Sequence, residues 1–174
     1  MDAIDQVVMN SRLHYLGTAG RSVQPLLKLA VLTCMDARLD PAAMLGLRPG
    51  DAHVIRNAGG RASADAIRAL AVSQAVMGTR EVMVIHHTEC AAGRFTQSEL
   101  AARIAQATGR AFSEDLDTFS DPIEAVKEDV GRPGPLRVAL TSRSPQPGVA
   151  YTHFSSGNAI ARRSSRTSKG SRRA

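Results

Sequence analysis

The sequence predicts an α/β fold, a mostly parallel central sheet flanked by helices. Two short apolar runs, at residues 28–34 and 81–86, read as strands buried on both faces. Helical patterns alternate with strand patterns over the first 130 residues, the order that crossover connections between parallel strands produce. At 174 residues and 43% hydrophobic content the chain is long enough to bury one core.

The elements follow in order. Ile4, Val7, Val8, Leu13 and Leu16 recur at roughly helical spacing, which predicts a first helix over 3–16, and residues 17–22 break it. The run 28–34 is the first strand. Pro41 opens a short helical turn, and Arg48-Pro-Gly-Asp51 marks a chain reversal before a second strand at 52–56. Ser63 or Asp65 caps a helix reaching about Met77, where Gly78 stops it. The third strand is 81–86. Two further helices are expected, one over 98–107 and one over 120–130, the latter opened by Ser120, Asp121 and Pro122.

After Gly131 the composition changes. Residues 1–130 hold 13 Lys+Arg against 16 Asp+Glu, whereas 131–174 hold 9 against none. The sequence therefore divides into a folded domain at 1–130 and a basic, low-complexity tail at 131–174, expected to be largely disordered and removable. Its weak strand candidates are 136–140 and 149–154. Two origins fit the change: a basic extension serving a partner, or a reading-frame shift near Gly131. Because the tail alone makes the chain basic, nucleic-acid binding is a minor reading confined to it. Aromatics are only 3%, with no Trp, which argues against a stacking platform for single strands. The start MDAIDQVVMN lacks the basic and apolar regions of a secretory signal. No apolar run approaches the roughly 20 residues of a membrane span. A soluble, cytoplasmic protein with no membrane partner is expected.

Chemistry concentrates at two strand ends. Cys34-Met-Asp36-Ala-Arg38 follows the first strand, and His87-Thr-Glu-Cys90 follows the third. Ligands of open parallel sheets bind beyond the carboxyl ends of the strands, so the two clusters are expected to meet. Two thiols and an imidazole suit Zn²⁺, and three protein ligands leave its fourth position open. On cysteine count alone, Cys34 and Cys90 read first as small buried apolar residues.

The blocks C-M-D-A-R-L-D-P, H-V-I-R-N-A-G-G and V-I-H-H-T-E-C, in this order, resemble the β-class carbonic anhydrases from about Leu29 to Cys90. The resemblance implies one Zn²⁺ per chain on Cys34, His87 and Cys90, and strand alternation points His86 the other way, as a packed strand-end residue. It implies a catalytic dyad, Asp36 and Arg38, with Asp36 a metal ligand only in a closed state. It places Asn57, Ala58, Gly59 and Gly60 in a backbone loop beside the substrate. The implied reaction is reversible hydration of carbon dioxide to bicarbonate by metal-bound hydroxide. A homodimer or larger homo-oligomer is implied, with the N-terminal helix packing on its neighbour. The family usually has Gly where this chain has Ala91, so an added Cβ in a tight or left-handed turn is expected to strain Cys90. The family's usual final strand is expected to be missing. The alternatives are a related hydrolase of another small cumulated substrate such as carbon disulfide, and a zinc-binding or redox-sensing module without hydratase activity.

Overall fold

The computed structural model describes residues 2–14, 22–132 and 149–155. Four strands form one sheet in the order β2-β1-β3-β4. β1 (Leu29–Cys34) lies between β2 (Ala52–Asn57) and β3 (Glu81–His87), parallel to both. The chain leaves β1 toward one side and returns, through helix α3 (Ala64–Ala75), to the other. The carboxyl ends of β1 and β3 therefore flank a topological switch point, the crevice where open α/β sheets bind ligands.

The continuous apolar runs are explained by burial on both faces. Ala30 and Leu32 of β1 and Val82 and Val84 of β3 pack with Ala66 and Leu70 of α3 and Val126 of α5 (Pro122–Gly131). Val31 and Ile85 point the other way, onto Leu45 and Leu47 at and just beyond the short helix α2 (Pro41–Leu45). This alternation assigns successive residues to opposite faces. β2 is only half-buried along its length, as suits a strand at the sheet edge.

Local signals set the helix ends. Asp40 accepts from the Ala43 amide at the start of α2, and Ser63, not Asp65, caps α3 through the Ala66 amide. Asp121 accepts from the amides of Ile123 and Glu124, with Pro122 in the first turn of α5. α4 (Gln97–Thr108) begins earlier than expected, because Thr96 and Glu99 form a reciprocal capping box. Helix α1 spans Ala3–His14; its expected extension to Leu16 and most of the following break lie outside the described residues.

One of the tail's two weak strand candidates, 149–154, falls on a strand. β4 (Val149–Ser155) pairs antiparallel with the whole of β3, from Glu81↔Ser155 to His87↔Val149. Val149, Tyr151, Thr152 and Phe154 supply the β-branched and aromatic residues that favour a strand, and an uncovered β3 edge supplies the template. The candidate strand at 136–140 and the rest of the expected disordered tail, apart from Gly131, Arg132 and β4, lie outside the described residues. A chain stopped at Gly131 loses all of this pairing. It is expected to melt below the full chain in a thermal scan; equal melting temperatures would show that β4 adds nothing to stability.

Candidate metal centre

Cys34 ends β1, His87 ends β3, and Cys90 follows the turn after β3. Their ligand atoms all lie within 4.8 Å of one another, and all three residues are buried. The two sulfurs are 3.7 Å apart, far from the roughly 2.05 Å of a disulfide. They match the separation of about 3.8 Å that two thiolates take on tetrahedral Zn²⁺ with bonds of about 2.3 Å. His87 Nδ1 donates to the Thr88 carbonyl at 2.9 Å, since a carbonyl can only accept. That fixes the tautomer with the Nε2 lone pair free, and Nε2 is buried without a hydrogen-bond partner. An orphaned imidazole lone pair facing two thiols fits a zinc ion.

The thiols are electrostatically unequal. Donation from Cys90 holds Cys34 well below the usual thiol range despite burial, helped by the amides of Asp36 and Gly59. Cys90, as the donor, is pushed up, while the Ala92 and Gly93 amides oppose that rise. Metal binding requires thiolates, so a bound metal ion would displace the proton between the two sulfurs.

Asp36 lies beside this group without belonging to it. Arg38 grips its carboxylate with a two-pronged fork, Nε to Oδ1 at 3.0 Å and Nη2 to Oδ2 at 2.7 Å, and the Arg38 amide adds a third bond at 2.9 Å. The Arg38 side chain first, and then its amide, hold the Asp36 carboxyl far below the usual carboxylate range. Asp36 Oδ2 is 3.9 Å from His87 Nε2, at the rim of the metal position. Arg38 is tied to the other metal segment as well, through the Glu89 carbonyl at 3.0 Å.

The loop at 57–60 touches the metal centre directly. Asn57 accepts from the Met35 amide at 2.8 Å and donates from Nδ2 to the Arg61 carbonyl at 2.7 Å. Ala58, Gly59 and Gly60 form a 3-10 turn. Arg56, read earlier only as part of this loop's motif, braces the metal strand by donating to the carbonyls of Cys34 and Asp36 at 3.0 and 2.8 Å.

His86 is packed, as expected, with its side chain fully buried. The strain expected from Ala91 is absent. The left-handed residue of this turn is Glu89, at φ 54°, and Ala91 starts a 3-10 turn without positive φ. Sequence reasoning missed Arg61, Phe119 and Asp129, which pack behind the site. Phe119 lies against the cluster formed by Cys34, Cys90 and Ala92.

Fold and site define an α/β protein with a three-donor, zinc-type centre at the carboxyl edge of a parallel sheet. The family model for carbonic anhydrase matches residues 29–132. The chain is 38% identical over 133 residues to β-carbonic anhydrase 1 of Mycobacterium bovis, covering 76% of this chain and 82% of that protein. The crystal structure of carbonic anhydrase from Streptococcus mutans matches with a TM-score of 0.69 at 38% identity, over 75% of this chain and 80% of that one. A carbon disulfide hydrolase of Saccharolobus solfataricus is 49% identical over 74 residues, but these are only 42% of this chain and 36% of that protein. The chain belongs to the β-carbonic anhydrase family.

Proposed function

We propose that this chain is a zinc carbonic anhydrase, interconverting carbon dioxide and bicarbonate at Cys34, His87 and Cys90. The observation that carries the reading is the convergence of these three donors, with the Asp36–Arg38 pair at their rim. When bound, zinc supplies a Lewis acid that lowers the pKa of a coordinated water toward about 7.

The chain's own residues do the rest. Asp36, kept ionised by Arg38, is an acceptor only, so it takes a hydrogen bond from the attacking oxygen and turns that oxygen's lone pair toward substrate. Arg38 is a positioning residue, because its fork is occupied by Asp36 and Glu89. With the carboxylate so engaged, the geometry favours the open arrangement over one in which Asp36 occupies the metal. Leu39 and Phe119 pack against the cysteine cluster and give carbon dioxide an apolar wall. Asn57, Ala58, Gly59 and Gly60 are assigned the backbone side of the pocket.

Two coarser features extend the reading. Helix α1 exposes Ile4, Val7, Val8 and Met9, a face that favours packing on a second copy, so we assign a homodimer or larger homo-oligomer. Among the described residues no helix is long and apolar enough to cross a membrane. Together with thiols poised for metal, not a disulfide, that supports a cytoplasmic location.

The test is zinc content and stopped-flow carbon dioxide hydration on one purified sample. One zinc per chain and rapid hydration are expected. Asp36→Ala should keep its zinc but lose at least about 100-fold in turnover, the scale of a positioned acid–base group. Wild-type turnover in that variant would leave the dyad merely structural. The partial match to carbon disulfide hydrolases gives a second reading, marked by sulfide release from carbon disulfide without carbon dioxide hydration.

A further inference from the structure

Behind the metal centre lies a buried charged cluster that the proposed reaction does not use. His86 and Asp129 have no side-chain exposure, and that of Arg61 is 3%. His86 is on the β3 face covered by α5, where Asp129 meets it. His86 Nε2 is 3.0 Å from Asp129 Oδ2 and donates to the Gly60 carbonyl at 3.2 Å. Arg61 Nε is 3.4 Å from Asp129 Oδ1. One carboxylate on α5 thus lies within ion-pair distance of Arg61 and of His86, which itself bonds Gly60, while neither carboxylate oxygen has a hydrogen-bond partner.

Gly60 and Arg61 continue the loop beside the metal strand. Gly60 is pressed so closely on the strand ends that a Cβ there would lie 2.8 Å from the Cys34 nitrogen and 3.0 Å from the Ile85 carbonyl oxygen. The Arg61 guanidinium lies 5.6 Å from the centre of the Phe119 ring, whose other neighbours include the cysteine cluster. A displacement of Asp129 therefore reaches Cys34 through covalent neighbours and short contacts, and reaches His87 through the adjacent His86.

A buried ionic cluster is costly to form and is weak evidence for stability in itself, whereas it can specify one arrangement. We infer that Asp129 is a positioning residue for the metal site, fixing the 59–61 loop and the β3 end so that Cys34 and His87 keep zinc-binding geometry. This rests on the reading of the centre as a zinc site. Groups outside the ligand set that orient the ligands commonly change metal affinity by about 10- to 100-fold.

The experiment follows transfer of zinc from the zinc-loaded full chain to a chromophoric chelator, with the visible absorption of the cobalt-substituted chain as a second readout. Asp129→Asn keeps the shape and removes the charge. It is expected to release zinc at least about tenfold faster than wild type and to shift the cobalt bands. Leu70→Ala is the control, an apolar core truncation on α3 that lowers melting temperature without removing a charge. Its zinc release and cobalt spectrum are expected to match wild type. Unchanged release and spectrum in Asp129→Asn, or equal loosening in Leu70→Ala, overturns the proposal while the zinc reading stands. A wild-type chain that binds no zinc overturns both.

Discussion

Cys34→Ala, His87→Ala and Cys90→Ala are each expected to leave the purified chain nearly free of zinc. A structural zinc site with four protein ligands is worth about 10–16 kcal/mol at neutral pH, or roughly 2.5–4 kcal/mol per ligand. Losing one donor should therefore weaken binding by about 100- to 1,000-fold. The two sulfurs and the imidazole are already within 4.8 Å of one another, so little reorganisation energy remains to offset that loss. The thiols should be unequal only in pH dependence, because a chain keeping one thiol loses the hydrogen bond that lowers Cys34. Zinc analysis after dialysis checks the outcome. Full metal retention in both cysteine variants would remove the basis for the zinc reading.

The position of these residues at strand ends was legible for a physical reason, whereas the choice of His87 over His86 came from the family resemblance. A strand buried on both faces writes a continuous apolar run, and a polar residue at its end is the first free to do chemistry. Cys34 and His87 are such residues, and the parallel topology brings their strand ends together. The Asp36–Arg38 pair was legible because both members lie within one short turn. The start of α4 was legible in principle, since the Thr96–Glu99 capping box is written in the sequence two residues before the point where periodicity placed it.

The cluster behind the site was not legible. Asp129 stands on α5 beside Glu128 and Lys127, where a charged residue ordinarily reads as part of a solvated face. Arg61 begins a polar stretch after two glycines. Only the sheet register and the packing of α5 on β3 bring residues 61, 86 and 129 together across the sequence. β4 was legible only as one of two weak candidates, for the opposite reason. Its own residues have strand character, but they lie within a basic, Ser- and Pro-rich region, and the partner edge that makes them a strand is more than 60 residues away. The expected strain at Ala91 assigned positive φ to the wrong residue of its turn.

Gly60→Ala is expected to be the most damaging single methyl that can be added beside the site. Gly60 has φ 72°, and a Cβ built there would meet the backbone of Cys34 at 2.8 Å, of Thr33 at 2.9 Å and of Ile85 at 3.0 Å. None of these atoms is the end of a flexible side chain, so two strands or the loop must move. Overpacking of this kind costs about 1–3 kcal/mol, and the left-handed backbone adds about 1–2 kcal/mol for a residue with a Cβ. A total of about 3 kcal/mol corresponds to roughly 10 °C of melting temperature in a domain of this size. Gly109 separates the two contributions. Its φ of 69° is similar, but nothing lies within 4 Å of its would-be Cβ, so Gly109→Ala should show the backbone cost alone. The difference between the two variants then measures the steric part. Because the displaced atoms include the Cys34 nitrogen, Gly60→Ala should also hold zinc more weakly, and Gly109→Ala should not. Equal melting temperatures and equal zinc retention in the two variants would mean that the loop is not pressed on the strand ends, and that the metal centre does not depend on it.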